Sequence, residues 1–312
     1  MEKIKVVYMG TPEFSVEPLK IINKMCDVVL VVTQPDKKIG RKQEIKYSPV
    51  KEFALENNIE VFQPERIKKD YQVVLDKKPD LIITCAYGQI IPKEILEFPK
   101  YKCINIHASL LPKYRGGAPI HHSIINGDEY TGVTIMYMED KMDSGDILYQ
   151  EKIKIEENDN VGTMFNKLSI LGAKMIEAFL PKFILGDFNP IKQVEEDVTY
   201  AYNISKEDEK IDFNKTSREI YNKIRGLNPF PVGYALLDNK RVKLFLSRIG
   251  NSSKNAQNGE IINIYPDGIG IKTKDGEIII TELQIEGKSR TKVKDYLNGI
   301  QNKNELIGKK FD

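Results

Sequence analysis

Along roughly the first two hundred residues, short apolar runs alternate with stretches whose apolar positions recur three and four apart. That is the pattern of a parallel sheet assembled from βαβ units. The runs at 4–9, 28–33, 81–86, 103–107 and 134–138 predict strands, and the 3.6-residue period predicts helices over 15–25, 48–57, 71–78, 118–126 and 161–186. An open sheet of this kind takes its ligand at the carboxyl ends of its strands, which directs attention to the loops after Met9, Thr33, Ala86 and His107. Beyond about residue 200 the texture changes. A helix over 216–227 is followed by short strands at 233–237, 242–249, 259–265, 269–273 and 277–285, separated by turn pairs such as Asp238-Asn239, Asp267-Gly268 and Asp275-Gly276. Five short strands with tight turns predict a small barrel, OB-like. The expected organisation is therefore α/β: a Rossmann-like, mostly parallel sheet over 1–189, a polar linker over 190–207 and a C-terminal OB-like β-barrel over 208–312.

Length agrees, since 312 residues suit two modules better than one. A hydrophobic fraction of 41% beside 29% charged residues excludes a disordered or low-complexity chain. No apolar run reaches the roughly 18 residues of a membrane span, and the chain enters a strand almost at Met1, so a cytoplasmic protein without a targeting peptide is expected. The three cysteines, Cys26, Cys85 and Cys103, sit in apolar surroundings without paired spacing and read as buried thiols. Net charge is only +2, yet from Ile204 onward there are 20 Lys plus Arg against 15 Asp plus Glu, which makes the barrel half the basic half.

The first strand ends in Gly10-Thr-Pro12, not in a Gly-x-Gly-x-x-Gly turn, and Pro12 removes an amide that could cradle a pyrophosphate, so a dinucleotide site is poorly supported. No phosphate-binding P-loop, nucleophile elbow or His-Glu-x-x-His pair occurs either. The informative strand is 103–107. Alternation puts Asn105 and His107 on one face where the strand meets its loop, so an amide and an imidazole converge. After the next strand, residues 137–146 form a loop crowded with carboxylates, which alone reads as a solvated turn.

Asn105-x-His107, Ser109-Leu-Leu-Pro112, Arg115-Gly-Gly-Ala-Pro119 and Asp143-Ser-Gly-Asp146 together resemble the signature of the 10-formyltetrahydrofolate-dependent formyltransferases, above all of the branch whose acceptor is initiator methionyl-tRNA. The likeness continues through Thr33-Gln-Pro-Asp36, Ser48-Pro-Val-Lys51, Ala86-Tyr-Gly88, Thr131-Gly-Val-Thr-Ile135 and Asn228-Pro-Phe-Pro231. The resemblance implies that Asn105, His107 and Asp143 surround the formyl carbon of 10-formyltetrahydrofolate. Asn105 and protonated His107 would donate to the oxyanion, Asp143 would hold the imidazole and favour its charged form, and no metal ion would take part. The folate is expected beside Ser109, Leu110, Leu111 and Pro112, with Tyr87 and Ile90 lining the same cleft. For tRNA, the basic loop 36–46 with Arg41 and Lys42 is expected at the acceptor stem. Lys206 and the barrel cations Lys210, Lys240, Arg241, Lys243 and 288–294 would meet phosphates. The protein is expected to be a monomer without an obligate protein partner. Rivals within the class are a glycinamide ribonucleotide formyltransferase, a sugar-amine formyltransferase and the hydrolase domain of formyltetrahydrofolate dehydrogenase, and a non-catalytic RNA-binding protein is the rival outside it. The C-terminal barrel argues against the first, the basic loop against the other two of the class, and the Asn105, His107 and Asp143 constellation against the RNA-binding protein.

Overall fold

The computed structural model describes residues 3–39 and 43–312. It divides into two compact units, one made of residues up to Pro119 with Tyr130–Lys154 and Phe165–Tyr202, the other of Ile120–Glu129, Ile155–Met164 and Asn203–Asp312.

The first unit is built on strands β1 (Lys5–Gly10), β2 (Asp27–Val32), β5 (Val61–Phe62), β6 (Leu81–Cys85), β7 (Cys103–His107), β8 (Tyr130–Tyr137) and β9 (Ile147–Lys154). A separate hairpin joins β3 (Lys37–Ile39) to β4 (Glu44–Lys46). The main sheet runs in the order β5-β2-β1-β6-β7-β8-β9. Pairs from β5 to β7 are parallel, whereas β7–β8 and β8–β9 are antiparallel. Strands covered on both faces read as unbroken apolar runs, and β6 is buried at every residue from Leu81 to Cys85. On one face Val7, Met9, Leu30, Val32 and Ile82 pack with Ile67, Val74, Ile91 and Ile95. The three cysteines are free and buried, and burial pushes the Cys26 thiol up to about 11 and the Cys85 thiol up to about 12. The helix Pro49–Glu56 starts where its sequence says: Ser48 caps it by accepting from the Lys51 amide at 3.1 Å, and Pro49 occupies the first turn.

The second unit carries β10 (Tyr234–Leu237), β11 (Lys240–Gly250), β12 (Ile261–Ile264), β13 (Ile269–Lys272), β14 (Glu277–Ile285) and β15 (Thr291–Lys292). Its antiparallel sheet follows the order β10-β11-β14-β13-β12, with β15 on β14. Asp238 and Asn239 both have positive φ, 51° and 61°, as a two-residue hairpin turn requires, and Leu237 pairs directly with Lys240. Register shifts near Leu244 and Leu246 of β11 help curl the sheet into a half-barrel. Its core gathers Val242, Leu244, Ile261, Ile271, Ile278 and Ile280 with Ile220 and Ile224 of the helix Ser217–Gly226. A capping box starts that helix: Thr216 accepts from the Glu219 amide at 3.2 Å while Glu219 accepts from the Thr216 amide at 2.8 Å. Residues 309–312 hydrogen-bond to both sheet edges. Leu236 and Asp312 exchange bonds of 3.0 and 2.9 Å on the β10 side, and the Lys309 carbonyl accepts from the Ile261 amide at 2.8 Å on the β12 side.

The fold class read from the sequence is the observed one, Rossmann-like followed by OB-like. Strand β9 lies outside that reading because it is an edge strand whose Glu151, Lys152 and Lys154 break the apolar pattern.

Candidate active site

Three side chains meet at the carboxyl end of β7. In the β6–β7 register Thr84 stands beside Asn105, and its hydroxyl donates to the Asn105 Oδ1 at 2.8 Å. This fixes the amide with Nδ2 pointing away from Thr84 and toward Asp143, whose Oδ1 it reaches at 3.4 Å. His107, buried at 6% exposure, has its Nε2 2.9 Å from the Tyr114 carbonyl. A carbonyl oxygen only accepts, so Nε2 carries hydrogen and Nδ1 is the nitrogen that faces Asp143, 3.7 Å from Oδ2. That separation is an ion-pair distance, longer than a direct hydrogen bond. What grips the carboxylate is the Gly116 amide, which donates to Oδ2 at 2.8 Å. Only glycine fits at 116: its φ is +123°, and a Cβ there would sit 2.7 Å from the Ala201 carbonyl oxygen. Asp143 itself has φ +49°, a left-handed conformation that costs an L-residue roughly 1–2 kcal/mol and that Asp and Asn bear best.

The loop after His107 is moulded from the antiparallel side of the sheet. Thr134, opposite His107 in register, donates its hydroxyl to the Ser109 carbonyl at 2.7 Å and accepts from the Leu111 amide at 3.2 Å. Gln150 of β9 donates to the Thr134 hydroxyl at 2.8 Å and to the Leu111 carbonyl at 3.0 Å. The Ser109 hydroxyl turns back to the Lys113 carbonyl at 2.7 Å. Ser109 and Leu111 are buried, whereas Leu110 and Pro112 are partly open. Several backbone groups of this loop are therefore spent on shaping it, which leaves Leu110 and Pro112 as its accessible surface. Tyr87 is buried among the apolar residues behind β1 and β6, and its hydroxyl has no hydrogen-bond partner among the described residues. Burial alone raises its pKa. Ile90, in contrast, is 79% exposed.

Thr84, Thr134, Gln150 and the Gly116 amide were not singled out by sequence reasoning. Each acts through register or backbone geometry, and the sequence signals near them are the glycine pair at 116 and 117 and the stretch Thr131-Gly-Val-Thr-Ile135 that contains Thr134. Residues 191–201, within the predicted linker, run as a strap along this site. Ile191 bridges Ile147, Thr199 and Ala201 exchange backbone bonds with Pro112, Arg115 and Ala118, and Gln193 and Glu195 receive the buried Arg115 guanidinium at 3.0 Å each.

Two other stretches of the resemblance meet as well. Thr33 and Ser48 share a 2.7 Å hydroxyl contact, and Lys51 pairs with Asp36 at 2.6 Å, so they secure the base of the β3–β4 hairpin. Lys37, Lys38 and Lys46 on that hairpin are exposed, while Arg41 and Lys42 lie outside the described residues. In the second unit Lys206, Lys210, Lys240, Lys288, Lys292 and Lys294 are exposed. Arg241 and Arg290 are already committed, to Glu209 at 2.6 Å and to Glu282 at 2.8 Å. Among the described residues no group of three or more His, Cys, Asp or Glu side chains is arranged to hold a metal ion. No described helix is long and apolar enough to cross a membrane.

Residues 3–180 match the formyl transferase family and residues 203–301 match the formyl transferase C-terminal domain. The chain belongs to the formyl transferase family. Among its relatives, the methionyl-tRNA formyltransferase of Bacillus thuringiensis subsp. konkukian (strain 97-27) is 51% identical to this formyl transferase over 300 residues, covering 95% of this chain and 96% of that protein. Among solved structures, WlaRD, a sugar 3N-formyl transferase in the presence of dTDP and 5-N-formyl-THF, superposes with a TM-score of 0.67 at 25% identity, over 93% of this chain and 100% of that one. HypX from Aquifex aeolicus in complex with tetrahydrofolic acid shares the fold, with a TM-score of 0.64 at 17% identity, and this formyl transferase spans 96% of its own length and 48% of that chain. The family draws its one-carbon unit from a formyl-tetrahydrofolate.

Proposed function

We propose that this formyl transferase moves the formyl group of 10-formyltetrahydrofolate onto the α-amine of methionyl-tRNA, the initiator form, to give N-formylmethionyl-tRNA for translation initiation. The convergence of Asn105, His107 and Asp143, in a chain half identical over nearly its whole length to methionyl-tRNA formyltransferases, is the observation that carries this reading.

The bound folate supplies the formyl group: the amine nitrogen bonds to the formyl carbon, the bond from that carbon to N10 breaks, and the proton the amine gives up ends on N10, so that tetrahydrofolate leaves. Around the formyl group, Thr84 holds the Asn105 amide so that an Nδ2 hydrogen points at the place where the formyl oxygen gains negative charge. His107, its Nε2 tied to Tyr114, turns Nδ1 to the same place, with the Asp143 carboxylate 3.7 Å behind it. An α-amine titrates near pH 7.7 to 8.0 and an ester of the amino acid lowers that further, so a fraction of the acceptor is already an unprotonated nucleophile at neutral pH. The open side of Leu110 and Pro112, with exposed Ile90, fits the flat face of a pterin, and Tyr87 is assigned to the apolar wall behind it. Arg41 and Lys42, which follow β3 in the sequence, and Lys206 in the second unit are assigned to tRNA phosphates. A monomer acting in the cytoplasm completes the reading.

The deciding assay follows formyl transfer from labelled 10-formyltetrahydrofolate to methionyl-tRNA, free methionine and a dTDP-aminosugar side by side. Transfer to methionyl-tRNA at least a hundredfold above the others is expected, and preference for the sugar amine would replace this reading with the sugar transferase one. Turnover should also persist after exhaustive treatment with EDTA, and a loss restored by one added divalent ion would contradict the metal-free chemistry.

A further inference from the structure

Gln193 belongs to none of the stretches that carry the family likeness, yet its side chain is spent entirely on the site. Its Nε2 donates to the Asp143 carbonyl and to the Gly145 carbonyl, both at 2.8 Å, while its Oε1 accepts from the Arg115 Nε at 3.0 Å. An amide nitrogen has two hydrogens, and both go to one loop. That loop has reason to need them. Asp143 sits at φ +49°, a conformation the chain does not hold by preference. Gly145 is pressed so close to the Tyr137 carbonyl that a Cβ would lie 2.0 Å from it. Arg115, 3% exposed and bonded also to Glu195, fixes the other end of Gln193, so the amide is oriented before it reaches the loop.

We propose that Gln193 is a positioning residue for formyl transfer, holding the Asp143 loop so that its carboxylate stays in register with Asn105 and His107. This inference rests on the catalytic reading of Asp143 given above. The Asp143 oxygens lie 3.4 Å from Asn105 Nδ2 and 3.7 Å from His107 Nδ1, so a shift of about 1 Å in the loop removes the carboxylate from both, and misplacement on that scale costs about a hundredfold in rate.

The test uses full-length protein carrying Gln193→Ala, Gln193→Glu, Asp143→Ala and the double change Asp143→Ala/Gln193→Ala, compared in single-turnover formylation of methionyl-tRNA, in KM for both substrates and in thermal unfolding. Gln193→Ala should lower kcat between tenfold and a hundredfold with both KM values within twofold of the parent. Gln193→Glu keeps the size and the Arg115 contact but turns a carboxylate toward two carbonyls, so it should lose at least as much. With Asp143 gone, removing Gln193 should change the residual rate less than twofold, because the position it protects no longer matters. A Gln193→Ala enzyme of normal kcat beside an inactive Asp143→Ala enzyme overturns this inference and leaves the catalytic reading standing. An equal further loss in the double variant also overturns it, since that marks a merely structural role. Normal turnover by Asp143→Ala overturns the catalytic reading, and this inference with it.

Discussion

At the scale of single residues, the site depends on side chains that fix the orientation of others. Asn105 is useful as a donor only while its amide is turned the right way, and the Thr84 hydroxyl sets that turn. Thr84→Val, which keeps shape and removes the donor, should lower kcat roughly tenfold while leaving folate binding intact. Asn105→Ala and His107→Ala should each cost about a hundredfold or more, the usual loss on removing a donor to developing negative charge. Steady-state kinetics with folate titrations check all three, and Thr84→Val turnover equal to the parent's would show that Asn105 orients itself. Asn105 and His107 were legible from strand alternation beside a loop. Thr84 was not, because it lies 21 positions away and becomes a neighbour only through the β6–β7 register.

Elements show a similar division. Strands buried on both faces announce themselves as apolar runs, which is why β1, β2, β6 and β7 were readable from sequence, whereas the exposed edge strand β9 reads as polar chain although its Gln150 shapes the loop after His107. The helix Pro119–Ile125 carries His121. The histidine is half-buried, with its Nε2 3.2 Å from the Phe230 carbonyl. Burial lowers its pKa, the Phe230 bond opposes that, and the charge of His122 adds to it. With a folded-state pKa below the unfolded value of about 6.5, the unfolded chain binds more protons, so stability is complete above that value and declines as pH falls through it. Urea midpoints between pH 7.5 and 5.5 should therefore drop less in His121→Gln, which keeps a donor for Phe230 but cannot titrate. Equal drops in both proteins would mean that the acid sensitivity lies elsewhere.

For the molecule as a whole, charge is divided as the sequence suggested, but not every cation is available. Arg241 and Arg290 hold Glu209 and Glu282, so attraction for a polyanion falls to exposed lysines such as Lys206, Lys240 and Lys288. Methionyl-tRNA affinity should fall steeply with salt, by about 0.7 to 0.9 in log K per log salt for each phosphate neutralised, while folate affinity hardly changes. Lys206→Ala should flatten the slope by up to about one unit, and Arg290→Ala should instead lower the stability of the second unit. Filter binding across a salt series separates the two, and a slope unchanged by Lys206→Ala removes that residue from the interface. The bonds from residues 309–312 to β10 and β12 carry a consequence of a different kind. They cover parts of the β10 and β12 edges of the second unit's sheet. Deleting 309–312 would thus touch none of the reacting groups, yet leave those parts of the two strand edges open to pair with the edges of neighbouring copies. Such a truncated protein should form concentration-dependent aggregates on warming, and light scattering that stays at the parent's level would show that other contacts guard those margins.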